Sequence, residues 1–192
     1  MDIITHAKLF ATQRHVLDNH QLYGGVLPYT HHLEAVERVI RRFGVPAAVD
    51  AAPGQWKEDV NLLAAAWLHD VVEDTRGRPN EVRAREIEEI FGEDIAMLVG
   101  AVTSENGENR KIRNALTYPK IRAAGERAIA LKLADRIANV EYGGKSGSLG
   151  GMYSREYPDF RHALHTTEPA SLYLVNQMWH HLDTLLKPGP AL

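Results

Sequence analysis

The chain has no cysteine. That excludes disulfides, thiolate zinc sites and cysteine nucleophiles. It also lacks any apolar run approaching the roughly 20 residues that cross a bilayer. The first ten residues, MDIITHAKLF, carry no basic stretch ahead of an apolar core, so no secretory signal and a cytoplasmic location are expected. A large excess of one charge sign is lacking as well. The formal net charge is -3, too little positive field to hold a nucleic-acid backbone, although a metal and a few local cations could still bind an anionic small molecule. No alternating β pattern and no internal repeat stand out.

What is present is helical. The 192 residues, 44% hydrophobic and 24% charged, suit one compact domain over 1-192. Apolar residues recur at the helical period almost throughout, which predicts an all-α bundle of about eight to nine helices. The first covers about 3–19, and Gly24-Gly25 and Pro28 mark a loop over 21–28. A second starts with Thr30 as N-cap and ends at Gly44 and Pro46. An Ala/Pro/Gly-rich connection over 45–57 leads to a third helix near 58–73 whose middle is apolar on every side, the mark of a central, buried helix. Further helices are predicted over 81–90, 93–102, 110–117 (stopped near Pro119), 126–141, 155–165 and 169–186. The glycine-rich 143–151 reads as a mobile loop and 187–192 as a fraying tail.

Ionisable residues interrupt the helices that read as most buried. His69 and Asp70 end the run AAAWL, and Glu73 and Asp74 follow in HDVVED. A spacing of four puts Glu73 on the face of His69 and Asp74 on that of Asp70. Three carboxylates at one helix end repel and are costly to bury, and a bound cation would relieve both. Asp135 and Asn139 lie one turn apart in LKLADRIANV, with Lys132 and Arg136 beside them, and His32 opens a helix in PYTHHLEAV. Two imidazoles and two carboxylates form a mixed nitrogen and oxygen set suited to Mn²⁺, Fe²⁺, Zn²⁺ or a similar ion, with positions left for water and substrate. The bland alternative is a satisfied polar network in which Asp135 pairs with Lys132 or Arg136.

His32, then His69-Asp70, then Asp135 resembles the H…HD…D pattern of HD-domain phosphohydrolases. PYTHHLEAV, AAAWLHDVVEDT, IEEIFGEDIAMLVGAVT and LKLADRIANV look more closely like the hydrolase domains of RelA/SpoT-type enzymes and small alarmone hydrolases, over about residues 10–142. The resemblance implies His32, His69, Asp70 and Asp135 as metal ligands, usually for Mn²⁺, with Co²⁺ and Mg²⁺ also conceivable. It implies that Glu73 and Asp74 orient or deprotonate the attacking water. Asn139 would contact substrate or the metal-site network. The reaction implied removes the 3′-pyrophosphate from a guanosine tetra- or pentaphosphate, a small-molecule nucleotide. Arg110, Lys111, Lys120 and Lys132 are candidate phosphate contacts, and Tyr118 and Tyr29 could pack on a base or ribose.

Two departures from the family pattern matter. Leu33 follows the first ligand histidine where the family usually has proline. No lysine or arginine stands between Arg14 and His32, where alarmone hydrolases commonly carry cations near the guanine nucleotide. Two further readings therefore stay open: an HD phosphatase of another nucleotide, such as a nucleoside monophosphate or NADPH, and a metal-containing regulatory module without catalysis. Tyr153, Arg155 and Glu156 could close over a substrate or simply begin a helix. Oligomeric state is not legible.

Overall fold

The computed structural model describes residues 1–44, 58–144, 148–165 and 173–186. The 45–57 connection, the middle of the 143–151 loop, the start of the last expected helix and the tail lie outside them. Ten α-helices, one π-helical turn and one short hairpin are the regular elements of the described residues. They are α1 (Ile3–Thr12), a π-helical turn (Gln13–Leu17), β1 (Leu22–Tyr23), β2 (Leu27–Pro28), α2 (Thr30–Phe43), α3 (Val60–Leu68), α4 (Val71–Asp74), α5 (Ala84–Phe91), α6 (Glu93–Val102), α7 (Arg110–Ala123), α8 (Glu126–Gly143), α9 (Ser148–Leu164) and α10 (Tyr173–Leu186). The expected all-α class holds. The count exceeds eight to nine because the helix predicted over 58–73 breaks at His69-Asp70.

α3 and α8 form the centre. Residues Leu62 to Leu68 are all buried, and the three consecutive alanines in that run let α1, α2, α6 and α8 approach α3 closely. α8 buries almost its whole middle, Ala128 to Val140, against α2, α6, α7, α9 and α10. α3 starts where the Asp59 carboxylate accepts the Leu62 backbone N–H at 2.9 Å. This satisfies one of the orphan donors of the first turn. Arg127 on α8 donates to Asp59 at 2.8 Å and to Asp94 on α6 at 2.7 Å, tying three helices together at that end.

Several local features differ from the sequence expectation. Residue 29, not Thr30, occupies the N-cap position of α2, and its side chain makes no cap bond. α7 continues through Pro119 to Ala123. The proline costs one backbone hydrogen bond, but burial of Thr117, Tyr118 and Ile121 on either side of it keeps the helix together. α9 begins at Ser148, inside the stretch that reads as loop, and buries Tyr153, Tyr157, Phe160 and Leu164 along one stripe. The hairpin has two-residue strands paired antiparallel, Leu22 with Pro28 and Tyr23 with Leu27, too short to leave a period in the sequence. Gly24 makes its turn at φ +60°, with its Cα facing the Tyr142 ring so closely that a Cβ would collide.

Candidate active site

The break after α3 builds the site. His69 ends the helix, and Asp70 sits at φ -99°, ψ -8°, in the sparsely populated bridge region where functional residues often occur. One further turn, α4, then carries Glu73 and Asp74. This turn is anchored from below: Thr75 Oγ1 donates to the Val71 carbonyl at 2.7 Å and accepts the Val82 N–H at 2.9 Å. The first turn of α2 brings His32 to the same place, and the buried face of α8 brings Asp135.

These four side chains meet. One ligand atom each from His32, His69 and Asp70 lies within 4.8 Å of the others. Asp135 Oδ1 is 3.4 Å from His32 Nε2 and 3.9 Å from His69 Nε2. Asp70 Oδ2 is 2.9 Å from His69 Nε2 and 3.5 Å from His32 Nε2. The two imidazoles are almost wholly buried, at 1% and 2% exposure.

The donor set fits a divalent cation. His69 Nδ1 lies 2.8 Å from the Ala66 carbonyl, which can only accept, so Nδ1 carries the proton. Nε2 then faces the cluster, buried and without a hydrogen-bond partner. A ring nitrogen aimed at two carboxylates, which gives up its proton when a cation binds, is the arrangement a metal completes, and a backbone carbonyl on the far nitrogen is the usual device that fixes a ligating tautomer. Electrostatics agree. Burial works against a charged His32, but hydrogen bonds and the charges of Asp135 and Asp70 outweigh it and lift its pKa to about 9. Burial would raise Asp70 and Asp135. Around Asp70 the His69 charge and the His32 hydrogen bond prevail, and around Asp135 the Lys132 charge does, so both stay below the ordinary carboxylate range.

Neighbouring residues hold these side chains. Tyr29 Oη donates to Asp70 Oδ2 at 2.6 Å. Asn139 Nδ2 donates to Asp135 Oδ1 at 2.7 Å, and its own Oδ1 accepts the Tyr23 hydroxyl at 3.0 Å. Lys132 Nζ donates to Asp135 Oδ2 at 2.8 Å. Asn139 thus belongs to the hydrogen-bond network around Asp135. The pairing of Lys132 with Asp135, raised above as the bland alternative, exists alongside the histidine cluster rather than instead of it.

A cavity of about 210 Å³ opens over the cluster. Glu73, Asp74, Arg110, Lys132 and Asn139 line it together with His32, Asp70 and Asp135. Glu73 Oε2 accepts the Ser104 backbone N–H at 3.0 Å. The Asp74 carboxyl is pushed up to about 7, by burial first and then by the Asp70 charge. Arg110 is held by Glu156 through two hydrogen bonds, of 2.6 and 3.2 Å. Not all expected substrate contacts converge here. Lys111 and Tyr118 line a separate groove between α7 and α9, where Tyr118 Oη faces Arg136. Lys120 Nζ reaches back to the Thr103 carbonyl at 2.8 Å and to Glu105 at 2.5 Å. Of the α9 residues, Tyr153 lines the cavity over the cluster, Arg155 lines the groove, and Glu156 borders the groove while bonding Arg110.

Sequence reasoning missed several participants. Tyr23 stacks on His32 at 5.0 Å between ring centroids. Arg136, 2% exposed, lies 4.3 Å from the rings of both Tyr153 and Phe160 and bonds Glu156 at 3.3 Å, so it braces the Arg110 wall. Buried His15 and half-buried Gln21 reach Asp74. A charged residue in an apolar helix flags Arg136. Nothing in the local pattern flags Gln21 or His15, whose partner is more than fifty residues away.

The model of the HD domain family matches residues 29–140, more than half the chain, and spans all four side chains of the cluster. The chain belongs to the HD domain family. Among curated relatives it is 31% identical over 113 residues to the guanosine-3′,5′-bis(diphosphate) 3′-pyrophosphohydrolase MESH1 of Drosophila melanogaster, covering 59% of this chain and 54% of that protein. It is 28% identical over 131 residues to the enzyme of the same name from Danio rerio, covering 68% and 63%. The match thus spans little more than half the length of these relatives. A solved structure described as a metazoan ortholog of SpoT that hydrolyzes ppGpp superposes with a TM-score of 0.65 over 95% of this chain and 96% of that one. At 20% identity, that likeness bears on the fold alone.

Proposed function

We propose that this HD protein is a metal-dependent pyrophosphohydrolase that removes the 3′-diphosphate from guanosine 3′,5′-bis(diphosphate), with His32, His69, Asp70 and Asp135 holding one divalent ion, most simply Mn²⁺. The observation that carries this is the convergence of those four side chains with Glu73 and Asp74 on one polar cavity. The names of the MESH1 relatives support the choice of substrate.

When bound, the ion supplies Lewis-acid activation of water and neutralises charge on the transferred phosphoryl group. The chain's own groups do the rest. Glu73, fixed by the Ser104 N–H, orients the attacking water. Asp74, poised at about 7, accepts its proton near neutral pH, where a base of matched pKa works best. Lys132 and Arg110 face the phosphate charge from the cavity wall. The Glu156 carboxylate, shared with Arg136, holds Arg110 in that wall.

One observation favours a second reading. The hairpin presents Tyr23 to the cavity and carries no lysine or arginine, so it offers stacking rather than charge to the nucleotide. An HD phosphatase acting on a nucleoside monophosphate or NADPH would be served by the same chemistry. A panel of ppGpp, NADPH and nucleoside monophosphates with Mn²⁺ separates the readings. Pyrophosphate released from ppGpp supports the first. Orthophosphate released from another nucleotide, with ppGpp untouched, replaces it with the second. Metal binding without turnover of any of them leaves a regulatory module.

A further inference from the structure

The polar chain behind Asp74 starts in the π-helical turn. The extra residue in that turn, closed by the Asp18 N–H to the Gln13 carbonyl at 2.8 Å, rotates His15 into the interior, where it is fully buried. π-turns of this kind recur at functional sites. His15 Nδ1 lies 2.8 Å from Gln21 Oε1, and Gln21 Nε2 donates to Asp74 Oδ2 at 2.8 Å. Gln21 is itself pinned through its backbone. Its N–H donates to the His15 carbonyl at 2.8 Å, and its carbonyl accepts the Tyr29 N–H at 3.1 Å.

The donor directions follow from the chemistry of the groups. Asp74 as a carboxylate can only accept, so Gln21 must turn its NH₂ toward it and its oxygen toward His15. His15 must then carry its proton on Nδ1. Its Nε2 is buried without a partner, as a neutral imidazole in that tautomer leaves it, and burial disfavours the imidazolium. The same ring packs on Tyr29 at 4.7 Å between centroids, and Tyr29 holds Asp70. Among the described residues nothing donates a hydrogen bond to Asp74 Oδ1, so that oxygen is left for the cavity.

We propose that His15 and Gln21 are positioning residues: His15, through its Nδ1–H, fixes the Gln21 amide, and the amide locks Asp74 with Oδ2 occupied and Oδ1 presented to the attacking water. This rests on the reading that Asp74 takes the proton of that water. The two can fail separately.

The test is a double-mutant cycle on kcat, with Mn²⁺ and ppGpp, or whichever nucleotide of the panel above is turned over. The variants are Gln21→Leu, His15→Phe, Asp74→Asn and Gln21→Leu with Asp74→Asn. Gln21→Leu keeps the volume and removes the donor. It should lower kcat about 10- to 100-fold, the scale of a misplaced catalytic group, at unchanged KM and unchanged Mn²⁺ affinity. In the Asp74→Asn background it should lower kcat no further. His15→Phe keeps the packing on Tyr29 and should match Gln21→Leu. Equal fold-losses from Gln21→Leu in both backgrounds, or wild-type kcat in folded Gln21→Leu, would overturn the inference while leaving Asp74 as base. A wild-type rate in Asp74→Asn would remove the underlying reading and the inference with it. A measurement on the unmodified protein is independent of turnover. Nitrogen-15 NMR of the imidazoles, with His15 assigned by its loss in His15→Phe, should show a neutral ring protonated at Nδ1. A ring protonated at Nε2, or at both nitrogens, reverses the donor chain and overturns the proposal.

Discussion

Raising the pH from 6 to 8 should tighten Mn²⁺ binding about 100-fold, because the metal must displace a proton from His32. In the metal-free site, Asp70 and Asp135 hold the His32 pKa at about 9. Both pH values lie below that, so each unit costs about a factor of ten in unprotonated imidazole, or about 1.4 kcal/mol, and two units cost about 2.7. Asp74, at about 7, adds a second proton to the exchange below neutrality and steepens the lower end. Titration calorimetry at pH 7 in two buffers of different ionisation enthalpy should count at least about one proton released per Mn²⁺. The stability of the metal-free protein should move the other way. A histidine whose pKa rises on folding contributes its full stabilisation below its unfolded value, and that contribution is lost as pH climbs to about 9. Asp74 acts in the same direction from about pH 4 to 7, since its carboxyl is harder to ionise folded than unfolded. Chelated protein should therefore melt lower at pH 8 than at pH 6, while Mn²⁺-saturated protein gains from tighter binding. A Mn²⁺ affinity flat across this range, with no proton released, would refute the placement of His32 in the ligand set.

Three further outcomes are expected. Tyr29→Phe removes the 2.6 Å hydrogen bond to Asp70 with almost no change in shape, and should weaken Mn²⁺ binding about 10- to 100-fold by calorimetry. Glu73→Gln should keep full metal occupancy but lose kcat by about 100-fold, since the residue faces the cavity without belonging to the His32–His69–Asp70 cluster. Arg127→Ala unties α3, α6 and α8 at Asp59 and Asp94. Its side chain is about one-third exposed (32%), so solvent screening limits the loss to about 1–2 kcal/mol, read as a lower urea midpoint with metal affinity unchanged.

The residues of the cluster were legible because each breaks a strong pattern. His69 and Asp70 interrupt a helix that otherwise buries every position, and Asp135 sits in another. A sequence can show that such residues are costly in isolation, and convergence is the economical way to relieve the cost. The break between α3 and α4 was not legible, because helical periodicity continues through HDVVED and only the tertiary environment holds Asp70 in the bridge region. The hairpin was hidden by its length, and the continuation of α7 past Pro119 by the local rule that a proline stops a helix. Charge alone could not place Lys111 or Lys120. The helical phase and the pairing with Glu105 turn them away from the cavity that Lys132 and Arg110 line. Gln21 and His15 were invisible for a different reason: their meaning lies in a partner on α4, reached only after the chain folds.

The most direct measurement is crystallography of Mn²⁺-soaked protein with anomalous data at the manganese edge. One peak per chain is expected, within bonding distance of His32 Nε2, His69 Nε2 and carboxylate oxygens of Asp70 and Asp135. A fully occupied ion elsewhere, with these four side chains still pairing only with one another, would contradict it.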